Sequence, residues 1–147
     1  MKIVDIITES PVLRKLKKPN NWEYAAKWEC HVRLSGDGWL HFTINPGYWT
    51  DLASVPKALR GAFDNGSGEY GVLIASQLHD MLYATHYMSK NFADELFHKV
   101  LRYYGMNRIK AWLYYQAVHL FGDDAWEAAD DDMYIDRGLC KLMWFDR

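Results

Sequence analysis

The sequence predicts an α+β fold, with antiparallel strands at the N-terminus, a helical core of three helices after them, and an acidic appendage at the end. Three observations carry this. Apolar residues alternate with polar ones in the segment ending at Ile44, apolar residues recur at helical spacing between Tyr70 and Phe121, and seven carboxylates crowd Asp123 to Asp136. A length of 147 residues suits one domain, with a β-rich part at 1–50, a helical core at 51–122 and an acidic, aromatic tail at 123–147.

Lys2 to Thr8 reads as the first strand, and Tyr24 to Leu34 with Trp39 to Ile44 as a hairpin. Its turn is Ser35-Gly36-Asp37-Gly38, because glycine reaches the positive φ that tight hairpin loops require. Asn45-Pro46-Gly47 ends the ladder, since proline has no N–H to continue it. Tyr48 to Pro56 then reads as a loop. After a short segment at Lys57 to Phe63 and a glycine-rich stretch at 64–68, the period becomes helical.

The first helix, about Tyr70 to His86, sets Val72, Ala75, Leu78 and Leu82 along one side and Ser76, His79, Tyr83 and His86 along the next. The second runs from about Asn91 to Tyr104 and stops at Gly105. The third spans Arg108 to Phe121, with Asn107 as N-cap and Gly122 as stop. In the tail, Asp130, Asp132 and Asp136 lack the turn glycine and closing Glu of an EF-hand, so they read as a solvated acidic face.

Half the residues are apolar and 16% are aromatic, which supplies material for a packed core. The net charge of −2 gives no general attraction to nucleic acid, so none is expected as a partner. The short basic run Arg14, Lys15, Lys17 and Lys18 reads as a solvated loop face, although such a run also suits phosphates or an anionic lipid surface. Cys30 and Cys140 alone form no disulfide framework, which points to a reducing compartment. The N-terminal apolar run is broken by Asp5 and lacks a basic start, and no stretch reaches membrane-spanning length. Cytoplasmic residence in a bacterial host is the expectation.

The chemistry resides in Asp51, the adjacent His79 and Asp80, and Asp94. Ester hydrolysis needs a base to deprotonate water, a group that orients the base, and positive charge where an oxyanion develops. His79 has the side chain that titrates nearest neutrality, so it suits the base. Asp94 shares a stripe with Phe97 and Leu101, where a carboxylate is costly unless it meets a donor such as the His79 ring N–H. Asp80 points about 100° around the helix from His79, free to serve a different partner. With Asp51 and backbone carbonyls of the Asp51 to Ala53 loop it makes an all-oxygen set that suits calcium.

Bland roles fit the same residues taken singly. His79 suits a hydrogen-bonded helix residue, Asp94 a first-turn acid behind an Asn91 cap, and Asp51 a turn residue bonding its own backbone. A zinc site from His79, His86 and His98 has no supporting Cys or H-E-x-x-H pattern.

Taken together, Thr50-Asp51-Leu52, His79-Asp80-x-x-Tyr83, Asp94-x-x-Phe97 and the segment Ala111 to Gly122 resemble, in order, the small secreted bacterial phospholipase A₂ enzymes. The segment Gly47 to Pro56, with its T-D-L-A-S-V-P run, also looks like the signature of an uncharacterised family of phage and bacterial proteins. The first resemblance implies a phospholipase A₂-like helical core, His79 as base, and Asp94 as its support. It implies calcium held by the Asp51 carboxylate, the Leu52 carbonyl and the Asp80 carboxylate. Tyr83 falls where those enzymes also carry Tyr, as a brace for Asp94, a packing residue or a contact to substrate. Ala53 and Ser76 stand where the secreted enzymes have Cys, which fits a core moved to a reducing compartment. The expectation is a calcium-dependent esterase of phospholipase A₂ type, phage-encoded, meeting a phospholipid or membrane surface. The alternative is a non-catalytic phage structural or host-interaction protein, with a virion or host protein as partner.

Overall fold

The computed structural model describes residues 1–16, 22–36, 38–50, 70–128 and 139–146. Asp51 and Leu52 lie outside the described residues, as do Lys17, Lys18, the short segment and glycine-rich stretch expected at 57–68, and the carboxylates Asp130 to Asp136; of the loop expected at Tyr48 to Pro56 only Tyr48 to Thr50 are described, and Trp49–Thr50 form a short strand instead. The chain divides into two compact units, one formed by 1–52 with 131–147 and the other by 53–130.

The first unit holds β1 (Ile3–Thr8), β2 (Leu13–Lys15), β3 (Trp22–Tyr24), β4 (Trp28–Leu34), β5 (Gly38–Ile44), β6 (Trp49–Thr50) and β7 (Cys140–Asp146). An antiparallel sheet runs in the order β1-β4-β5-β7, and a smaller one in the order β2-β3-β6. In β4 and β5 alternate residues are buried, so Cys30, Val32 and Leu34 share a core face with Leu40, Phe42 and Ile44. Val4 is the extra residue of a bulge between the Ile3 and Asp5 pairings. The β4–β5 turn places Gly36 at φ 97°, the left-handed region glycine enters without steric cost. Tyr24, buried beside Trp28 and Tyr48, ties the smaller sheet's loops: its N–H donates to the Tyr48 carbonyl at 2.8 Å and its carbonyl accepts from Gly47 at 3.0 Å.

Both cysteines are free and buried. The register sets Cys30 opposite Phe42 and Cys140 opposite Ile44, with β5 between them. Two inter-strand steps of about 4.8 Å exceed the Cα reach of a disulfide. Burial pushes the Cys30 thiol up to about 12 and the Cys140 thiol up to about 11, so neither forms a ready thiolate.

The second unit holds α1 (Tyr70–Thr85), α2 (Lys90–Tyr103), α3 (Arg108–Phe121) and α4 (Asp123–Ala128). Helix α1 is buried over Ile74 to His79 and again over Met81 to Tyr83, on most sides rather than one. Helix α2 packs against both α1 and α3 and buries Ala93, Asp94, Leu96, Phe97, Val100 and Leu101. Its N-cap is Ser89, whose hydroxyl accepts from the Phe92 N–H at 3.1 Å, and not Asn91. Gly105 at φ 95° ends it, and the Met106 N–H closes the turn onto the Leu101 carbonyl at 3.1 Å. Asn107 caps α3 by accepting from the Lys110 N–H at 2.8 Å.

The fold class needs correction in its details. The described residues carry four helices and two sheets rather than the expected three-helix core behind an N-terminal hairpin, and the expected acidic appendage is split between two structures. Its first six residues form α4, whose first turn holds Asp123 and Asp124 where a helix N-terminus favours carboxylates. Its last residues form β7, an edge strand paired with β5 from Gly38↔Asp146 to Ile44↔Cys140. Arg14 and Lys15, expected in a loop, lie exposed on β2. No helix among the described residues is long and apolar enough to cross a membrane.

Candidate functional site

Asp94 is 0% exposed, and four side chains meet its carboxylate. Its place follows from the α2 pattern, which turns Asp94 inward with Phe97 and Leu101. His79 Nε2 lies 2.8 Å from Oδ1, and the Tyr83 hydroxyl donates to that same oxygen at 2.7 Å. These two residues sit one turn apart on α1 and so present to one point. On the other oxygen, Lys90 Nζ donates to Oδ2 at 2.7 Å and His119 Nδ1 lies at 3.2 Å. Asp94 thus draws on α1, on its own helix, and on the last turn of α3.

Burial alone would raise the Asp94 pKa, but hydrogen bonds from His79, Lys90 and Tyr83 outweigh it and hold the carboxyl below its ordinary value. An ionised carboxylate only accepts, so the His79 nitrogen facing it carries the hydrogen. Burial pushes the His79 pKa down, against the opposing pull of Asp94, so the ring is neutral at pH 7. A neutral ring with hydrogen on Nε2 leaves a lone pair on Nδ1. His79 is 3% exposed, and its Nδ1 is buried with no hydrogen-bond partner among the described residues. The ring itself is held between Tyr83, at 4.1 Å between centroids, and Phe97, at 5.1 Å.

Tyr83 braces Asp94 and packs on His79. Burial, followed by its bond to Asp94, raises its pKa well above that of a free phenol, so it remains a donor. Gly122 makes this possible for a reason other than stopping a helix. It has φ −87°, and a Cβ there would run into the Val118 carbonyl and the Tyr83 hydroxyl. Lys90 also donates to the His119 carbonyl at 3.1 Å and pairs with exposed Asp123 at 3.4 Å.

The structure therefore brings together His79, Asp94 and Tyr83 of the sequence-derived set. Asp80 is half-buried on α1 beside His79, while Asp51 and Leu52 are not among the described residues. No group of three or more His, Cys, Asp or Glu able to hold a metal ion occurs among the described residues. His86 stacks on Trp126 at 3.7 Å and bonds its carbonyl, and His98 lies against Tyr115, so neither joins His79. Lys90 and His119 complete the site beyond the residues that the sequence singles out. Lys90 stands four residues before Asp94, a spacing open to recognition, whereas His119 meets Asp94 only through helix packing.

No curated protein and no solved structure matches the chain. Residues 22–118, more than half of the chain, match one family, and the matched stretch holds His79, Tyr83, Lys90 and Asp94 but ends one residue before His119. The chain accordingly belongs to the DUF1353 family, whose description is a protein of unknown function.

Proposed function

We infer that the chain is an ester hydrolase in which His79 Nδ1 takes the proton of an attacking water while Asp94 holds the ring through Nε2. One observation carries this: Asp94 is saturated by donors and fixes the tautomer of a histidine whose other nitrogen is left unpartnered among the described residues. That is the arrangement a general base needs, since orientation and a neutral, proton-accepting nitrogen come together. The motif order supports phospholipid as substrate and calcium as cofactor, held by the Asp51 carboxylate, the Leu52 carbonyl and the Asp80 carboxylate. Bound calcium would polarise the ester carbonyl. Two buried free thiols fit a protein made in a reducing bacterial cytoplasm. Extracellular-type calcium sites bind at roughly 10⁻⁴ to 10⁻³ M, so such an enzyme would act after lysis, at a membrane or from a virion.

The burial of His79 favours a second reading, in which Asp94 is a structural hub and the protein is a non-catalytic phage structural or host-interaction component. Fatty-acid release from mixed phosphatidylglycerol and phosphatidylcholine vesicles separates the two. The hydrolase reading expects release by the wild type with calcium, and none with chelator or in His79→Ala. Equal release in all three arms, or none in any with calcium shown not to bind, overturns it.

A further inference from the structure

Helix α3 carries two faces. Ala111, Tyr114, Ala117 and Val118 are buried within the helical unit. On the other side Ile109, Trp112, Leu113, Gln116 and Leu120 follow i, i+3, i+4, i+7, i+11 spacing, and four of the five are large exposed apolar residues, with Ile109 75% and Leu120 62% exposed. Such a stripe, about 16 Å long at 1.5 Å per residue, is more than scattered surface apolarity and marks an interaction face.

The charges at its ends narrow the partner. The first turn of α3 holds Arg108 and Lys110 and no acid, and the chain passes from its last residue into Asp123 and Asp124. A helix macrodipole favours the reverse, acids at the N-terminus and bases at the C-terminus. Within one copy Arg108 and Lys110 stand against this preference, whereas Asp123 and Asp124 are favoured by the start of α4 and Asp123 pairs with Lys90, which leaves Asp124 as the acid turned to a partner. Against a second α3 running antiparallel the two ends become complementary, basic end to acidic end, twice over. Shape agrees with charge. At the basic end a groove of 670 Å³ is lined by Arg102, Asn107, Arg108, Ile109, Lys110 and Leu113. At the acidic end Phe121 projects, 66% exposed. An anionic lipid surface matches the basic end but is repelled by Asp123, Asp124 and Glu127 at the other.

We propose that α3 pairs antiparallel with α3 of a second copy about a two-fold axis near Trp112 and Gln116. Ile109 then lies opposite the partner's Leu120, the partner's Phe121 enters the groove, and Arg108 faces the partner's Asp124. A two-fold interface is self-complementary, so each contact occurs twice. This pairing is independent of any chemistry at His79.

Sedimentation velocity across micromolar concentrations tests it on the full chain. The wild type is expected to sediment as a dimer and Leu120→Glu as a monomer with unchanged helical circular dichroism. Arg108→Glu and Asp124→Arg should each weaken association roughly threefold to tenfold, as a doubled exposed ion pair implies, and the two together should restore it. The restoration cannot come from damage to the fold. A wild type that is monomeric throughout, a dimer indifferent to Leu120→Glu, or a monomer that sediments with phosphatidylglycerol vesicles overturns the proposal.

Discussion

His79 Nε2 lies 2.8 Å from Asp94 Oδ1, across two helices and fifteen residues of sequence, in a site where the carboxylate has no contact with solvent. Isolated, such a carboxylate would take up a proton to escape its desolvation cost. Here four donors compensate it, and the compensation decides which nitrogen of His79 is bare.

Asp94→Asn tests the cost of this arrangement. The amide keeps the shape but offers a donor group to residues that are themselves donors, and it leaves Lys90 without its buried counter-charge. Breaking a buried ion pair by removing one partner costs about 3 to 5 kcal/mol, a large share of a small domain's stability. Urea unfolding followed by tryptophan fluorescence should show a midpoint lowered to match. A loss below about 1 kcal/mol would mean that the four contacts contribute little.

Acid should weaken the helical unit in two steps of the same sign. In the unfolded chain His79 titrates near 6.5 and Asp94 near 3.8, and folding lowers both. Between each unfolded value and its lower folded value the unfolded chain binds more protons, so stability rises with pH there and falls as pH drops. Neither group contributes a slope above about pH 7. Thermal unfolding from pH 8 to pH 3 should therefore be flat at first and then decline, and His79→Gln should lessen the decline that begins near 6.5, to which His41 and His98, also lowered by burial, contribute the remainder.

Gly122→Ala should act on the site from outside it. The added Cβ meets the Val118 carbonyl and the Tyr83 hydroxyl, and overpacking of this kind costs about 1 to 3 kcal/mol. Tyr83→Phe removes only the hydroxyl and its hydrogen bond, worth about 1 kcal/mol, with more if Asp94 is left undersatisfied. Chemical unfolding of both variants should rank Gly122→Ala as the more damaging. The opposite rank would show that Gly122 is merely a chain stop.

How much was legible follows from how local each signal is. Asn107 and Gly105 bound their helices through contacts within one turn, so sequence alone places them. Ser89 and Asn91 compete as caps two residues apart, and only the reach of the Ser89 hydroxyl to the Phe92 N–H decides between them. Strand β7 pairs with β5 across nearly a hundred residues, a partnership no local pattern announces, although Cys140 and Leu142 alternate with exposed Lys141 and Met143. The three-residue strands β2 and β3 are too short for periodicity to register. At the site, Asp94 and His79 were readable because a carboxylate on an apolar stripe demands a donor. The same demand, taken to both oxygens, would have called for further donors such as Lys90.

The most direct measurement is the ¹⁵N spectrum of the His79 imidazole in the folded protein, followed from pH 8 downward. A neutral ring at pH 7 with hydrogen on Nε2, bare Nδ1 and a titration midpoint below 6.5 is the expected result. A ring that carries hydrogen on Nδ1, or that is cationic at neutral pH, would contradict the assignment of His79 as a base supported by Asp94.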